Sequence, residues 1–195
     1  MLDAGGTTID GIRTKNEYMS YAAQAARMLD ADWSNFCRGG AYLVARDEAT
    51  TATHIPSVYA QQTINSTDPY SFERKPDIVV INLGTNDLGE LNKKYSSEAD
   101  RKAAFKTAIR EFTELVLEKN GKDVQIVYAF GLMTIKTYVD ATYEEVAAEL
   151  SAEGYSAHFV RLPTNKDGGG GHPDIAGAKT GAEVLANYIE ENIYN

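Results

Sequence analysis

Residues 77–83 read Asp-Ile-Val-Val-Ile-Asn-Leu and run straight into Gly84-Thr85-Asn86-Asp87. The β-branched centre of this run does not alternate apolar with polar residues, so it predicts a strand buried on both faces. Residues 124–130 and 158–162 repeat the pattern, and residues 33–37 read as a further short strand. Helical periodicity fills the gaps. Residues 18–29 carry Tyr18, Ala22, Ala25 and Leu29 at helical spacing. Residues 97–119 open with Ser97 and Asp100 in capping-box spacing and stop before Asn120-Gly121. Residues 142–153 open with Thr142 and Glu145 as a second such box, and residues 175–193 form a last helix. Strands separated by helices of this length imply right-handed crossovers, hence an α/β fold with helices on both sides of a parallel sheet. The length of 195 residues suits one domain, residues 1–195.

Charge narrows the partners. Nineteen Lys and Arg against twenty-eight Asp and Glu leave a net −9. That balance argues against nucleic acid and against an anionic membrane surface, both of which need a basic face. No apolar run approaches the roughly 18–20 residues that span a bilayer. The start, Met1-Leu2-Asp3-Ala4-Gly5-Gly6, has neither a basic region nor an apolar stretch, so no signal peptide is expected. Cys37 stands alone and reads as a small apolar filler on a strand, with a catalytic nucleophile as the alternative. One cysteine with His54, His158 and His172 scattered along the chain gives no expectation of a metal site.

In parallel sheets, ligands bind beyond the carboxyl ends of the strands. The loops to inspect therefore follow Cys37, Leu83, Phe130 and Leu162. In the first, Arg38-Gly39-Gly40, a glycine N–H can face a developing negative charge. In the second, the Asn86 amide can donate to an oxyanion and Asp87 can accept backbone N–H bonds. In the fourth, Asp167-Gly168-Gly169-Gly170-Gly171-His172-Pro173 brings a histidine to the start of the last helix, where it can serve as general base. Each loop taken alone also reads as a plain turn. Their order, a glycine, then Gly-x-Asn-Asp, then His-Pro, carries the signal.

In that order the sequence resembles the SGNH (GDSL-type) hydrolases, and most closely their carbohydrate esterase family 2 branch. The stretch from Asp77 to Asp87, Gly131-Leu132-Met133 and Gly171-His172-Pro173-Asp174-Ile175-Ala176-Gly177 carry the likeness, which extends from about Tyr18 onward. The resemblance implies a three-layer α/β/α sandwich of the flavodoxin-like, SGNH-hydrolase kind. It also implies a serine-type esterase that removes acetyl groups from carbohydrates through an acyl-enzyme, with no metal and no cofactor. Gly40 then matches the backbone donor of the oxyanion hole, with Gly39 the near alternative. Asn86 matches its side-chain donor, and His172 the general base. The branch is commonly secreted, which implies an extracellular protein.

Two departures from the family stand out. Its serine sits in a Gly-Asp-Ser block after the first strand, and this sequence has neither. Residues 1–6 are similar to the segment that follows the serine. The expectation is therefore a chain that begins just past the nucleophile and a sheet without its usual first strand. The exposed edge so left would favour a homodimer. The alternative takes Gly5-Gly6-Thr7-Thr8 as a degenerate block with Thr7 as nucleophile; Ser20, in a helical pattern, reads as a surface or packing residue. The second departure is the acid. Many family members place Asp three residues before the histidine, where this chain has Gly169. Asp167 could reach the ring through the glycines, or a backbone carbonyl could orient it, as often in family 2. Trp33, Tyr42 and Tyr138 are candidate sugar-stacking residues, although most of the twelve tyrosines belong to core or ordinary surface. Two other readings stay open. One is a lipase, thioesterase or aryl esterase of the same superfamily. The other is a catalytically silent carbohydrate-binding module.

Overall fold

The structure is a computed structural model that describes residues 8–9, 12–13, 16–46 and 52–194. Thr7 lies outside the described residues. Contacts divide the chain into two units. One comprises Met1–Gly39, Ala129–Ile135 and Val160–Asn195; the other comprises Gly40–Tyr128 and Lys136–Phe159.

The sheet has the strand order β3-β4-β5, formed by Ile78–Ile81, Gln125–Phe130 and Ala157–Arg161. β3 runs parallel to β4, with Ile78 opposite Gln125 and Ile81 opposite Tyr128. Central β4 is buried from Ile126 to Phe130, as its apolar run requires. β3 differs from expectation: only Ile81 is buried, and Ile78, Val79 and Val80 are half-buried. Its place at the end of the strand order, with a neighbour on one side only among the described residues, accounts for this. Residues 33–37 form no strand. The Asn35 amide donates to the Glu17 carboxylate, and Trp33 and Cys37 lie exposed. Cys37 is therefore not a core filler, and its thiol is pushed up by partial desolvation of the sulfur and by the Glu17 carboxylate. A small antiparallel pair, β1 (Thr8–Ile9) and β2 (Ile12–Arg13), has no counterpart in the sequence-based reading.

In the second unit, α4 (Glu98–Asn120) lies against α5 (Tyr138–Ala152). α4 begins as expected, with the Ser97 hydroxyl accepting from the Asp100 N–H at 3.1 Å. α5 begins a turn earlier than expected. Thr137 and Asp140, not Thr142 and Glu145, form its capping box. Thr142 is buried inside the helix and donates to the Tyr138 carbonyl, while Glu145 points to Lys102 and Lys106 on α4. The core between these helices and β4 is aromatic: Tyr128 stacks on Tyr143 at 4.8 Å, and Phe105 meets Tyr143 edge-on at 5.4 Å. Tyr128 shares a 2.6 Å hydrogen bond with buried Thr113, and burial raises its phenol to about 12. Two shorter helices, α2 (Ile55–Val58) and α3 (Asp87–Lys94), complete this unit.

In the first unit, α1 (Tyr21–Met28) packs on α6 (Ile175–Asn192). Both helices bury small residues, Ala23 and Ala25 on α1 and Ala178 and Ala182 on α6. Ser20 is not within the helix. It is the buried N-cap of α1 and accepts from the Ala23 N–H at 3.2 Å, after a short 3-10 turn at Glu17–Met19. No described helix is long and apolar enough to cross a membrane.

Candidate active site

Gly84 turns the chain sharply out of β3. Its φ is +104°, and a Cβ there would meet the Phe105 ring at 2.9 Å and Val139 at 3.3 Å, so the turn needs glycine. The Tyr143 hydroxyl donates to the Leu83 carbonyl at 3.0 Å and fixes the strand end just before it. Asn86 follows as the N-cap of α3. An Asn at an N-cap ordinarily turns its side-chain oxygen onto the helix N–H groups. Asn86 makes no such cap; it lies exposed, and its amide donates to the Ala41 carbonyl at 2.8 Å. An amide NH₂ carries two N–H groups, and the second meets no acceptor among the described residues.

Gly40 belongs to the same unit. It sits in a turn with φ +76°, exposed, and no described residue accepts from its N–H. The segment after it is bound at several points. The Tyr42 N–H donates to the Thr53 carbonyl, and the Ile55 N–H donates to the Tyr42 carbonyl, both at 3.0 Å. Asp87, only 1% exposed, accepts from the Leu43 N–H at 3.0 Å and the Val44 N–H at 2.8 Å. His54 Nε2 lies 2.8 Å from the Leu43 carbonyl, which makes Nε2 the protonated nitrogen. The Arg46 guanidinium donates to the Asn86 carbonyl at 3.1 Å and lies 4.1 Å from the centre of the Tyr42 ring. Burial pushes the Asp87 carboxyl up, while the Val44 and Leu43 N–H groups, Arg46 and His54 pull it back.

His172 belongs to the other unit, on the loop before α6, and is half-buried. Its Nδ1 is 2.9 Å from the Gly169 carbonyl. A carbonyl only accepts, so Nδ1 carries the proton and Nε2 is left as the basic nitrogen. Asp167 does not reach the ring. It is exposed and accepts from the Asn165 amide at 2.8 Å. Asn165 organises this loop, accepting also from the N–H groups of Asp174 (3.0 Å) and Asp167 (3.3 Å). Asp174 in turn caps α6 by accepting from the Gly177 N–H at 2.7 Å.

Of the stacking candidates, Trp33 is 41% exposed. Tyr42 is buried against His54 and is no platform. Tyr138 is half-buried, and burial raises its phenol.

No protein-family profile matches the chain. Cellulase/esterase CelE of Acetivibrio thermocellus is 31% identical over 191 residues, an alignment that covers 93% of this chain. A family two carbohydrate esterase from Clostridium thermocellum, solved as an active-site mutant in complex with a cello-oligosaccharide, superposes with a TM-score of 0.77 at 29% identity over 92% of the chain. A family 2 enzyme with a carbohydrate-binding domain from Corynascus thermopiles gives a TM-score of 0.77 at 27% identity over 95%. The chain is similar in sequence and in fold to these carbohydrate esterase family 2 proteins. It spans 22% of the length of CelE and 55–59% of these two solved chains.

The α/β fold with a parallel sheet is structurally similar to these family 2 carbohydrate esterases. Asp87, Arg46 and His54, which surround the Asn86 backbone and the strap after Gly40, lie outside the motif reading except for Asp87. No spacing rule links residues 43–46, 54 and 87. The Gly169 carbonyl was legible only as an unassigned backbone acceptor.

Proposed function

We propose that this family 2-like domain is a serine-type carboxylic ester hydrolase that removes acetyl groups from carbohydrates. The observation that carries the reading is the His172 ring, with Nδ1 tied to the Gly169 carbonyl and Nε2 left basic. In this reading Nε2 takes the proton from a serine hydroxyl as it attacks the ester carbonyl. Negative charge then gathers on the carbonyl oxygen, where the Gly40 N–H and the second Asn86 N–H would hold it. Collapse of the tetrahedral intermediate expels the sugar hydroxyl, which takes its proton back from His172. The acetyl-enzyme is released by water through the same steps in reverse. The Gly169 carbonyl fixes the tautomer without supplying the negative charge of an acid. No metal or cofactor enters the scheme. The likeness to CelE and to a family two esterase that holds a cello-oligosaccharide supports a carbohydrate as the ligand. An acetylated polysaccharide is too large to enter a cell, so the reading carries an extracellular site of action.

The sequence contains no Gly-Asp-Ser block, and Thr7 lies outside the described residues. The test is therefore fluorophosphonate labelling of the native protein with peptide mapping, beside an acetate-release assay on acetylated xylo- and cello-oligosaccharides. The expected result is one adduct, lost on prior heat denaturation, and acetate release that disappears in His172→Ala. Binding of cellohexaose by a folded protein that neither labels nor releases acetate would overturn the reading in favour of a non-catalytic carbohydrate-binding role.

A further inference from the structure

The Asp87 carboxylate is an unusual thing to bury. A charge taken out of water is costly unless hydrogen bonds compensate it. Asp87 is 1% exposed, and no cation among the described residues forms an ion pair with it. Its compensation comes from two consecutive backbone N–H groups, Leu43 and Val44, which lie forty-odd residues away in sequence. An apolar residue of similar size could fill the same space without that cost. The carboxylate does something an apolar residue would not: it fixes the position of a backbone segment relative to the first turn of α3.

That segment begins three residues after Gly40, and α3 begins one residue after Asn86. The linkage is doubled on both sides. Asn86 itself donates to the Ala41 carbonyl, and Arg46 returns from the far end of the strap to the Asn86 carbonyl. His54 holds the Leu43 carbonyl, on the same residue whose N–H Asp87 holds. The strap from Ala41 to Arg46 is thus pinned onto the Asn86-Asp87 step at each end and in its middle. Gly40 is the residue at its free start, where no side chain constrains the backbone and φ is positive.

We infer that Asp87 is a positioning residue that sets the distance between the two oxyanion donors, the Gly40 N–H and the Asn86 amide, by clamping the strap at Leu43 and Val44. The inference rests on the esterase reading. It differs from that reading in assigning a function to a residue that touches neither substrate nor nucleophile. An oxyanion hole works because its donors already stand where charge develops, and a displacement of about 1 Å can cost on the order of a hundredfold. Asp87 acts on that spacing, so its loss should appear in turnover and leave ground-state binding of the sugar alone.

The test compares Asp87→Ala and Asp87→Asn with the native protein. Asparagine keeps an oxygen where Oδ1 accepts both N–H bonds, so it should preserve most of the clamp. The expected result is a kcat lowered on the order of a hundredfold in Asp87→Ala and less than about tenfold in Asp87→Asn, with KM within about twofold in both. Amide hydrogen exchange should accelerate at Leu43 and Val44 in the alanine variant, while Ile126 and Val127 in the central strand stay protected. Should Asp87→Ala fail to fold, Asp87→Leu, which keeps the volume and removes both acceptors, takes its place with the same two readouts and the same limits. A folded alanine variant with kcat within about threefold of native, or with unchanged exchange at Leu43 and Val44, overturns the inference. A rise in KM matching the loss in kcat/KM, with kcat intact, also overturns it. If the native protein turns over no ester, the esterase reading fails and this inference with it; the exchange rates then report separately on whether Asp87 holds the strap.

Discussion

At the scale of single residues, the two loops of the proposed site use their polar side chains in opposite ways. Asn86 sits where an asparagine would normally cap its own helix, yet its amide turns to the Ala41 carbonyl and keeps one N–H in reserve. Asp167 sits where a triad acid could be sought, yet it is spent on Asn165 while a main-chain carbonyl holds His172. These contacts predict an asymmetric mutational pattern. Asn86→Ala should lower kcat by about a hundredfold or more through the loss of one oxyanion donor. Asp167→Asn should leave kcat within about threefold, since an amide can still meet the Asn165 side chain and the histidine has another partner. Steady-state acetate release from both variants checks the pair, and a collapse of activity in Asp167→Asn would restore an acid to the site. The sequence could propose Asn86 and His172 because side-chain identity and motif order point to them. It could not propose the Gly169 carbonyl, because every residue has one and only the turn through Gly170 and Gly171 brings this one to the ring.

At the scale of elements, sequence patterns placed α4, β4, β5 and α6 to within a residue or two, and failed where two local signals competed. Thr137-x-x-Asp140 and Thr142-x-x-Glu145 both have capping-box spacing. Tertiary contacts choose between them: Asp140 is buried at the helix start, whereas Glu145 is drawn to Lys102 and Lys106 across the α4–α5 contact. The difference is measurable. Thr137→Ala should cost about 1 kcal/mol, the usual worth of an N-cap. Thr142→Val should stay within about 0.5 kcal/mol, because its hydroxyl only doubles onto a carbonyl already within the helix. Urea unfolding of the two variants separates them, and the reverse ranking would place the cap at Thr142. Residues 33–37 failed for a different reason. Trp33 and Phe36 suit a strand by type, but a strand exists only if a neighbour supplies its hydrogen bonds, and local sequence holds no information about that neighbour.

At the scale of the whole molecule, charge acts in two ways, and both are testable. The first is stability. Burial raises Asp87, so the folded state holds its proton more tightly than the unfolded chain does. Its contribution is fully present below the ordinary carboxylate range and is lost as pH rises through its raised pKa. Glu145 has the opposite sign: hydrogen bonds from Lys102 and Lys106 hold it at about 2, so its contribution is present above the ordinary range and is lost as pH falls towards that value. Asp87→Asn should therefore flatten the decline on the rising-pH side and Glu145→Gln the decline on the acid side, as read from urea midpoints taken between about pH 2 and 8. The second is substrate choice. A net charge of −9 surrounds the site with a repulsive field for polyanions but not for neutral glycans. Acetyl esters on a neutral cello- or xylo-oligosaccharide should then show kcat/KM that hardly moves with salt. The same ester on a uronate-bearing oligosaccharide should react more slowly at about 10 mM salt and recover as ionic strength approaches about 150 mM, where the screening length shrinks from about 30 Å to about 8 Å. Equal salt dependence for the two substrates would mean that local positive groups at the site, rather than the field of the whole molecule, govern encounter.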